Sequence, residues 1–304
     1  MKKVLLTISY FSFATIAFAQ EAQKTHEDSL RVGWWDHRST QFGINFSQTG
    51  FNDAWTETQG SVGSLGLGFY FNNKAVYHKK RVVFSSDIQL QYGMLKNKGQ
   101  ERVKSIDRIF IDHKYANKLS KTINWFANIN FLSQFAPGYD LKAITKPMIS
   151  NIFAPAFLSE GVGLEWNPTK YFVVQFGGAA LRQTFMSNDK VFDNTAKDVT
   201  VNGKVIKRSY GTEKGKVLNE MGFQVVAAFD KDIAKNLNLK WRYQGFVAYA
   251  PKTKPMDHNV MLITTAKVNK YLNVNLTFLG VYDADIFKKL QISEGLSAGF
   301  VFNL

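Results

Sequence analysis

The chain has 304 residues, no cysteine and a formal net charge of +14. The missing thiols exclude disulfides, thiolate metal sites and cysteine nucleophiles. Mean hydropathy is only −0.19 although aromatic residues reach 14%, and beyond the N-terminal leader no run approaches the ~18 uninterrupted apolar residues of a membrane helix.

Lys2 and Lys3 precede an apolar run, residues 4–18, which ends on Ala17, Phe18 and Ala19 before Gln20. Basic, apolar and small-residue regions in this order predict a signal peptide over residues 1–19. Residues 20–39 then form a periplasmic segment and residues 40–304 the folded body. Export argues against nucleic acid, the partner that so basic a chain would otherwise suggest.

From residue 40 onward, apolar side chains recur at every second position in spans of strand length. The spans are 41–48, 62–71, 82–92, 105–115, 123–134, 157–166, 171–184, 217–229, 237–249, 259–268, 272–282 and 292–304. In 82–92, Ile88, Leu90 and Tyr92 alternate with Asp87, Gln89 and Gln91. In 237–249, Leu239, Trp241 and Tyr243 alternate with Lys240, Arg242 and Gln244. In 171–184 both faces are apolar, so its lipid side is not assignable. Alternation hides membrane-facing residues from average hydropathy. The expected fold is therefore all-β, a transmembrane antiparallel barrel of about twelve strands.

The links fit that expectation. Short periplasmic turns are predicted at 72–81, 116–121, 167–170, 230–236 and 269–271, and outer loops at 49–61, 93–104, 135–156, 185–216, 251–258 and 283–290. The turn at 72–81 is long for its side. Trp125, Trp166, Tyr271 and Phe302 fall near periplasmic strand ends and Tyr92, Tyr249 and Tyr282 near outer ends, as interfacial girdles require. The aromatic C-terminal strand, residues 299–304, looks like the signal by which barrel-assembly machinery recognises its clients. Outer-membrane lipid and lipopolysaccharide are the expected surroundings, and the basic loops 96–104 and 190–216 either meet anionic groups there or are ordinary solvated loops.

The chain resembles a family of Bacteroidota outer-membrane proteins catalogued as domain of unknown function 3078. The resemblance rests on residues 42–51 (FGINFSQTGF), 133–139 (SQFAPGY), 149–156 (ISNIFAPA), 268–272 (VNKYL) and 281–285 (VYDAD). Where the family continues its first loop with Asn-Trp and a double glycine, this chain separates Asn52 from Trp55 and has Glu57 and Thr58. The resemblance implies an outer-membrane barrel and carries no activity.

Catalytic chemistry has little footing, because a nucleophile needs a nearby oriented base. His26 and His37 precede the first strand, His78 falls in a predicted turn and His113 near the inner end of a strand. Only His258 lies at an outer strand end, and it lacks a recognisable serine motif. Asp257, Asp283 and Asp285 could form a carboxylate site for a hard cation, or simply polar turns. No cofactor is expected.

The candidate site is the lumen wall, with Asp87, Gln89, Gln91, Asn128, Asn130, Glu220, Lys240, Arg242 and Gln244 as its lining. These side chains either meet a small polar or anionic solute or hydrogen-bond one another and fill the barrel. A restricted channel or transport component, an assembly or structural accessory of the envelope, and an enzyme remain as readings. Loop 185–216, with Lys190, Lys197, Lys204, Lys207, Arg208, Lys214 and Lys216, is long enough to fold over the mouth and favour anions there.

Overall fold

A computed structural model describes residues 37–49, 64–99, 101–141, 143–201, 203–250, 254–283 and 287–303. The expected signal peptide and most of the segment that follows it lie outside these residues. The strands, in chain order, are β1 (His37–Thr49), β2 (Ser64–Lys79), β3 (Val82–Asn97), β4 (Arg102–Lys118), β5 (Ile123–Ser133), β6 (Gly138–Tyr139), β7 (Met148–Ser150) and β8 (Ala156–Thr169). They continue as β9 (Phe172–Phe185), β10 (Lys197–Val201), β11 (Lys204–Arg208), β12 (Leu218–Ala234), β13 (Leu237–Ala248), β14 (Asp257–Lys267), β15 (Leu272–Asp283) and β16 (Phe287–Asn303). The helix α1 (Asp189–Thr195) precedes β10.

Twelve strands close into one antiparallel ring in the order β1-β16-β15-β14-β13-β12-β9-β8-β5-β4-β3-β2. The seam is made by β1 and β16, whose register pairs Phe42 with Phe302 and Phe46 with Ala298. Closure leaves no barrel strand with an unpaired edge, the condition for backbone amides to sit in hydrocarbon. Links at one end hold two to four residues, whereas those at the other run from 3 to 32. β2 continues through 72–79, so the expected long turn there is wrong. The chain instead reverses on Lys80 and Arg81, with Lys80 at φ 53. His78 accordingly lies on a strand.

In a single closed layer, a buried side chain lies inside the ring and an exposed apolar one faces outward. Phe46, Phe176, Met221, Leu276 and Leu296 are exposed, whereas Gln41, Asn45, Gln91, Asn275 and Thr277 are buried. This pattern inverts that of a soluble protein and is the signature of a wall between lipid and a polar interior. Strands of 11 to 17 residues exceed the ~9 to 11 needed to cross a bilayer.

Aromatic side chains gather at the short-turn end of the outer face. Phe172 lies between Trp166 and Trp241 at 6.5 and 6.0 Å, Trp241 stacks on Phe229 at 6.2 Å, and Tyr271 meets Phe302 at 6.4 Å. Toward the long-loop end, Tyr243, His258 and Tyr282 form a second group. Amphipathic rings at both ends fit a bilayer's two interfaces.

β9 has a bulge. Gly177 pairs with both Gly163 and Gln224, while Ala179 pairs with Val162 and Ala180 with Gly222, so the inward phase passes from odd to even numbers around Gly178. Gln175 before the bulge and Arg182 after it both bond to inward carboxylates. The Tyr249 hydroxyl donates to the Gly178 carbonyl at the irregularity. A two-residue period cannot be read through an inserted residue, which is why this strand had no assignable face.

Candidate functional site

Each residue of the expected lining lies on an inward phase of its strand. Asp87, Gln89 and Gln91 follow one another on β3, Asn128 and Asn130 lie on β5, Glu220 on β12, and Lys240, Arg242 and Gln244 on β13. Gln91 is 1% exposed and neither of its amide atoms has a protein partner. Gln89 Nε2 donates to both Asp87 oxygens at 3.1 Å, and Asn130 Nδ2 donates to Asp112 at 3.4 Å. The lining therefore divides between internal pairing and groups left for water or solute.

The charged members converge at one level. Register places Lys74 beside Asp87 and Asp230 beside Lys240. Arg108 on β4 is within electrostatic reach of Asp87 and of Arg242, and Lys240 is within reach of Lys74, Asp230, Asp87 and Arg242. β4 and β13 lie on opposite walls, so cations face one another across the lumen. Arg108 is further held over the Phe110 ring at 4.6 Å.

Apolar side chains meet at the same level. Met261 and Ile263 on β14 pack with Leu279 on β15 and with Ile106 on β4. Five strands separate β4 from β14 in either direction around the ring, so this contact crosses the barrel at its widest separation. Ile263 is 1% exposed, in the cluster against which Ile106 of the opposite wall packs. Among the described residues, side chains constrict the lumen here.

Two further networks brace the ends. Toward the long loops, Arg182 binds Glu220 at 2.8 Å and Asp257 at 2.7 Å, approaches Asp283 at 3.6 Å, and lies 4.6 Å above Phe246. Lys254 adds a second cation on Glu220. Asp257 and Asp283 are thus brought together, as a cation site would require, but around a guanidinium; Asp285 lies outside the described residues. Toward the short turns, Glu165 accepts from Lys114 at 2.5 Å, Gln175 at 2.7 Å, Asn167 at 2.9 Å and Asn124 at 3.0 Å. Paired buried charges of this kind fix neighbouring strands relative to one another.

Among the described residues, no group of three or more His, Asp or Glu side chains is disposed to hold a metal. His113 stacks on Phe84 at 6.0 Å and His258 Nδ1 is 2.9 Å from the Tyr243 hydroxyl. Neither arrangement contains the oriented nucleophile that acyl or phosphoryl transfer needs.

Loop 186–217 folds into α1 and the β10-β11 hairpin. Val191 and Phe192 of α1 form a small core with Ala154 and Met186, against which Met148, Ala196 and Tyr210 pack. Asn188 caps the helix by accepting from the Val191 amide at 3.1 Å. The loop is therefore docked on its neighbour, residues 134–155. That neighbour is tied to β4 where Asp107 accepts from the Phe135 and Ala136 amides at 2.7 and 2.8 Å. Hydrogen bonding to Asp193 pushes the Lys214 ammonium pKa up, and the Lys216 contact holds the Glu213 carboxyl below its ordinary range.

Sequence reading missed Arg108, Lys74, Asp230 and Arg182. Arg108, Asp112 and Lys114 fall on alternate positions of β4 with Phe110 between the first two, and that spacing was the available signal for a charged inner face. Arg182 follows the bulge and had none.

A model of a protein family described as "Protein of unknown function (DUF3078)" matches residues 46–139. This span runs from late β1 through β6; the resembling stretches at 149–156, 268–272 and 281–285 lie beyond it. No curated protein sequence matches the chain. Among solved structures, the COG4313 outer membrane channel from Pseudomonas putida F1 is similar at TM-score 0.45 and 8% identity, over 92% of this chain and 100% of that one. The NanC porin gives TM-score 0.36 at 8% identity over 86% and 98% of the two chains. The TodX monoaromatic hydrocarbon channel gives 0.32 at 9% identity over 88% and 87%.

Proposed function

We propose that the protein is an outer-membrane barrel giving small anionic solutes a restricted, selective passage. The observation that carries this reading is the placement of Arg108 and Arg242 on opposite walls, Arg242 in register with Met261 and Arg108 two residues from Ile106, where the lumen narrows. Like charges held close in a confined space repel one another, and an entering anion relieves that repulsion where a cation would add to it. The internal acids Asp87 and Asp230 offset part of the positive field and keep the preference graded. The apolar outer face then lies in membrane lipid, the long loops face outward, and their lysines meet the anionic groups of lipopolysaccharide. Biogenesis passes through the barrel-assembly machinery.

Reversal potentials in planar bilayers under a salt gradient test the proposal. Wild-type protein should pass small currents with anion preference, and the pair Lys240→Gln with Arg242→Gln should reduce that preference. Deleting residues 190–214 should raise conductance and weaken the preference further. A large unselective wild-type current contradicts the reading, and silence from every variant favours an accessory role in the envelope.

A further inference from the structure

The structure assigns the constriction as a binding site for an amphipathic anion, a small carboxylate or similar group carrying a hydrocarbon portion. This rests on the restricted-passage reading and names its substrate class. Register makes the case. Arg242 is directly opposite Met261 across the β13-β14 ladder, and Lys240 is directly opposite Ile263. Leu279 stands opposite Met261 on the next strand. On the far wall Arg108 is two residues from Ile106, so both project inward. Cations and apolar side chains therefore stand side by side on both walls of the lumen.

A constriction meant for inorganic or very small anions needs the cations alone; four apolar side chains beside them would make such an ion shed water with nothing to replace it. A constriction that merely fills the barrel has no use for facing guanidinium groups. A ligand with a charged head and a short hydrocarbon tail satisfies both. Its head lies between Arg108 and Arg242, and its tail displaces the Ile106 contact with Met261 and Ile263. Methionine yields easily to a new shape, so Met261 is suited to part from the opposite wall. Bonding partners beyond the cations are at hand, since both Gln91 amide atoms lie unpaired one strand from Arg108 in register.

Binding is measured on the full chain in nanodiscs, by NMR of ¹³C-labelled hexanoate, with acetate and hexylammonium as comparison probes and empty nanodiscs as the lipid control. Hexanoate should bind about tenfold or more tighter than acetate, because each methylene removed from water adds to affinity, and hexylammonium should not exceed the empty-disc signal. Arg242→Gln should weaken hexanoate and acetate together, whereas Ile263→Asn should weaken hexanoate alone. Circular dichroism and heat-modifiable gel mobility establish that each variant is folded. Equal binding of hexanoate and acetate, or of hexanoate and hexylammonium, overturns the inference. Bilayer currents separate the two levels. Binding without conduction retains the site and sinks the passage, and anion-selective conduction with acetate and hexanoate alike retains the passage and sinks the site.

Discussion

A methyl group added at Gly43 would lie 2.0 Å from the Tyr70 ring, which is itself 2% exposed. The ring covers the glycine from the neighbouring strand and packs on Val301 across the seam. Gly43→Ala must therefore expel a buried aromatic side chain, at a cost of about 1 to 3 kcal/mol in a urea unfolding titration. Gly178→Ala, with open space around it, should change stability by less than about 0.5 kcal/mol. Facing has a similar single-residue test. Leu239 lies near the short-turn end, beyond the Trp241 girdle, where an arginine reaches the interface at little cost. Leu276 lies between Tyr271 and Tyr282 and is exposed. Leu276→Arg should therefore cost about 2 to 4 kcal/mol in lipid, while Leu239→Arg costs much less, and equal losses in folding titrations would show that the girdles are misplaced. The inward faces of β3, β13 and β15 were legible because each alternates without interruption. The partners of those faces were not: residue 106 meets the cluster of residues 261 and 263 through closure of the ring, and closure leaves no mark at either position.

At the scale of elements, legibility depended on local regularity. β9 defied assignment because a bulge at Gly178 changes its phase, and β2 was cut short because Asn72, Asn73 and Lys74 resemble a turn. In a barrel such residues can continue a strand: Asn72 is buried inside the wall, and Asn73 donates to Thr40 on β1 at 2.9 Å near the end of the ring. The small sheets β6-β7 and β10-β11 and the helix α1 were read as loop, since each is too short to show a period. They matter as a unit. The packing contacts of α1 run to Met148 and Ala154 and to Met186 and Tyr210 of its own loop, so removing residues 190–214 should leave a closed barrel with unchanged gel mobility while residues 134–155 become cleavable by protease. Loss of the folded band on the same deletion would mean that the cap supports the barrel itself.

At the scale of the whole molecule, the ring is held by continuous strand pairing around its circumference and by charge networks at both ends, those of Arg182 and Glu165. With no edge from which to peel a strand, the folded protein should resist SDS at room temperature and change gel mobility only on heating. A barrel of twelve strands lies between side-chain-filled and open ones, so closure of the lumen depends on Ile106 meeting the cluster of Met261 and Ile263 across the interior. The native chain has no cysteine, which makes the pair Ile106→Cys with Ile263→Cys unambiguous to probe. Dibromobimane, a short bifunctional reagent that becomes strongly fluorescent when it bridges two thiols, should cross-link them within one folded chain, and neither single variant should react this way. Two thiols that are each alkylated freely by a water-soluble maleimide, with no bridge formed, would mean an open lumen and contradict the constriction.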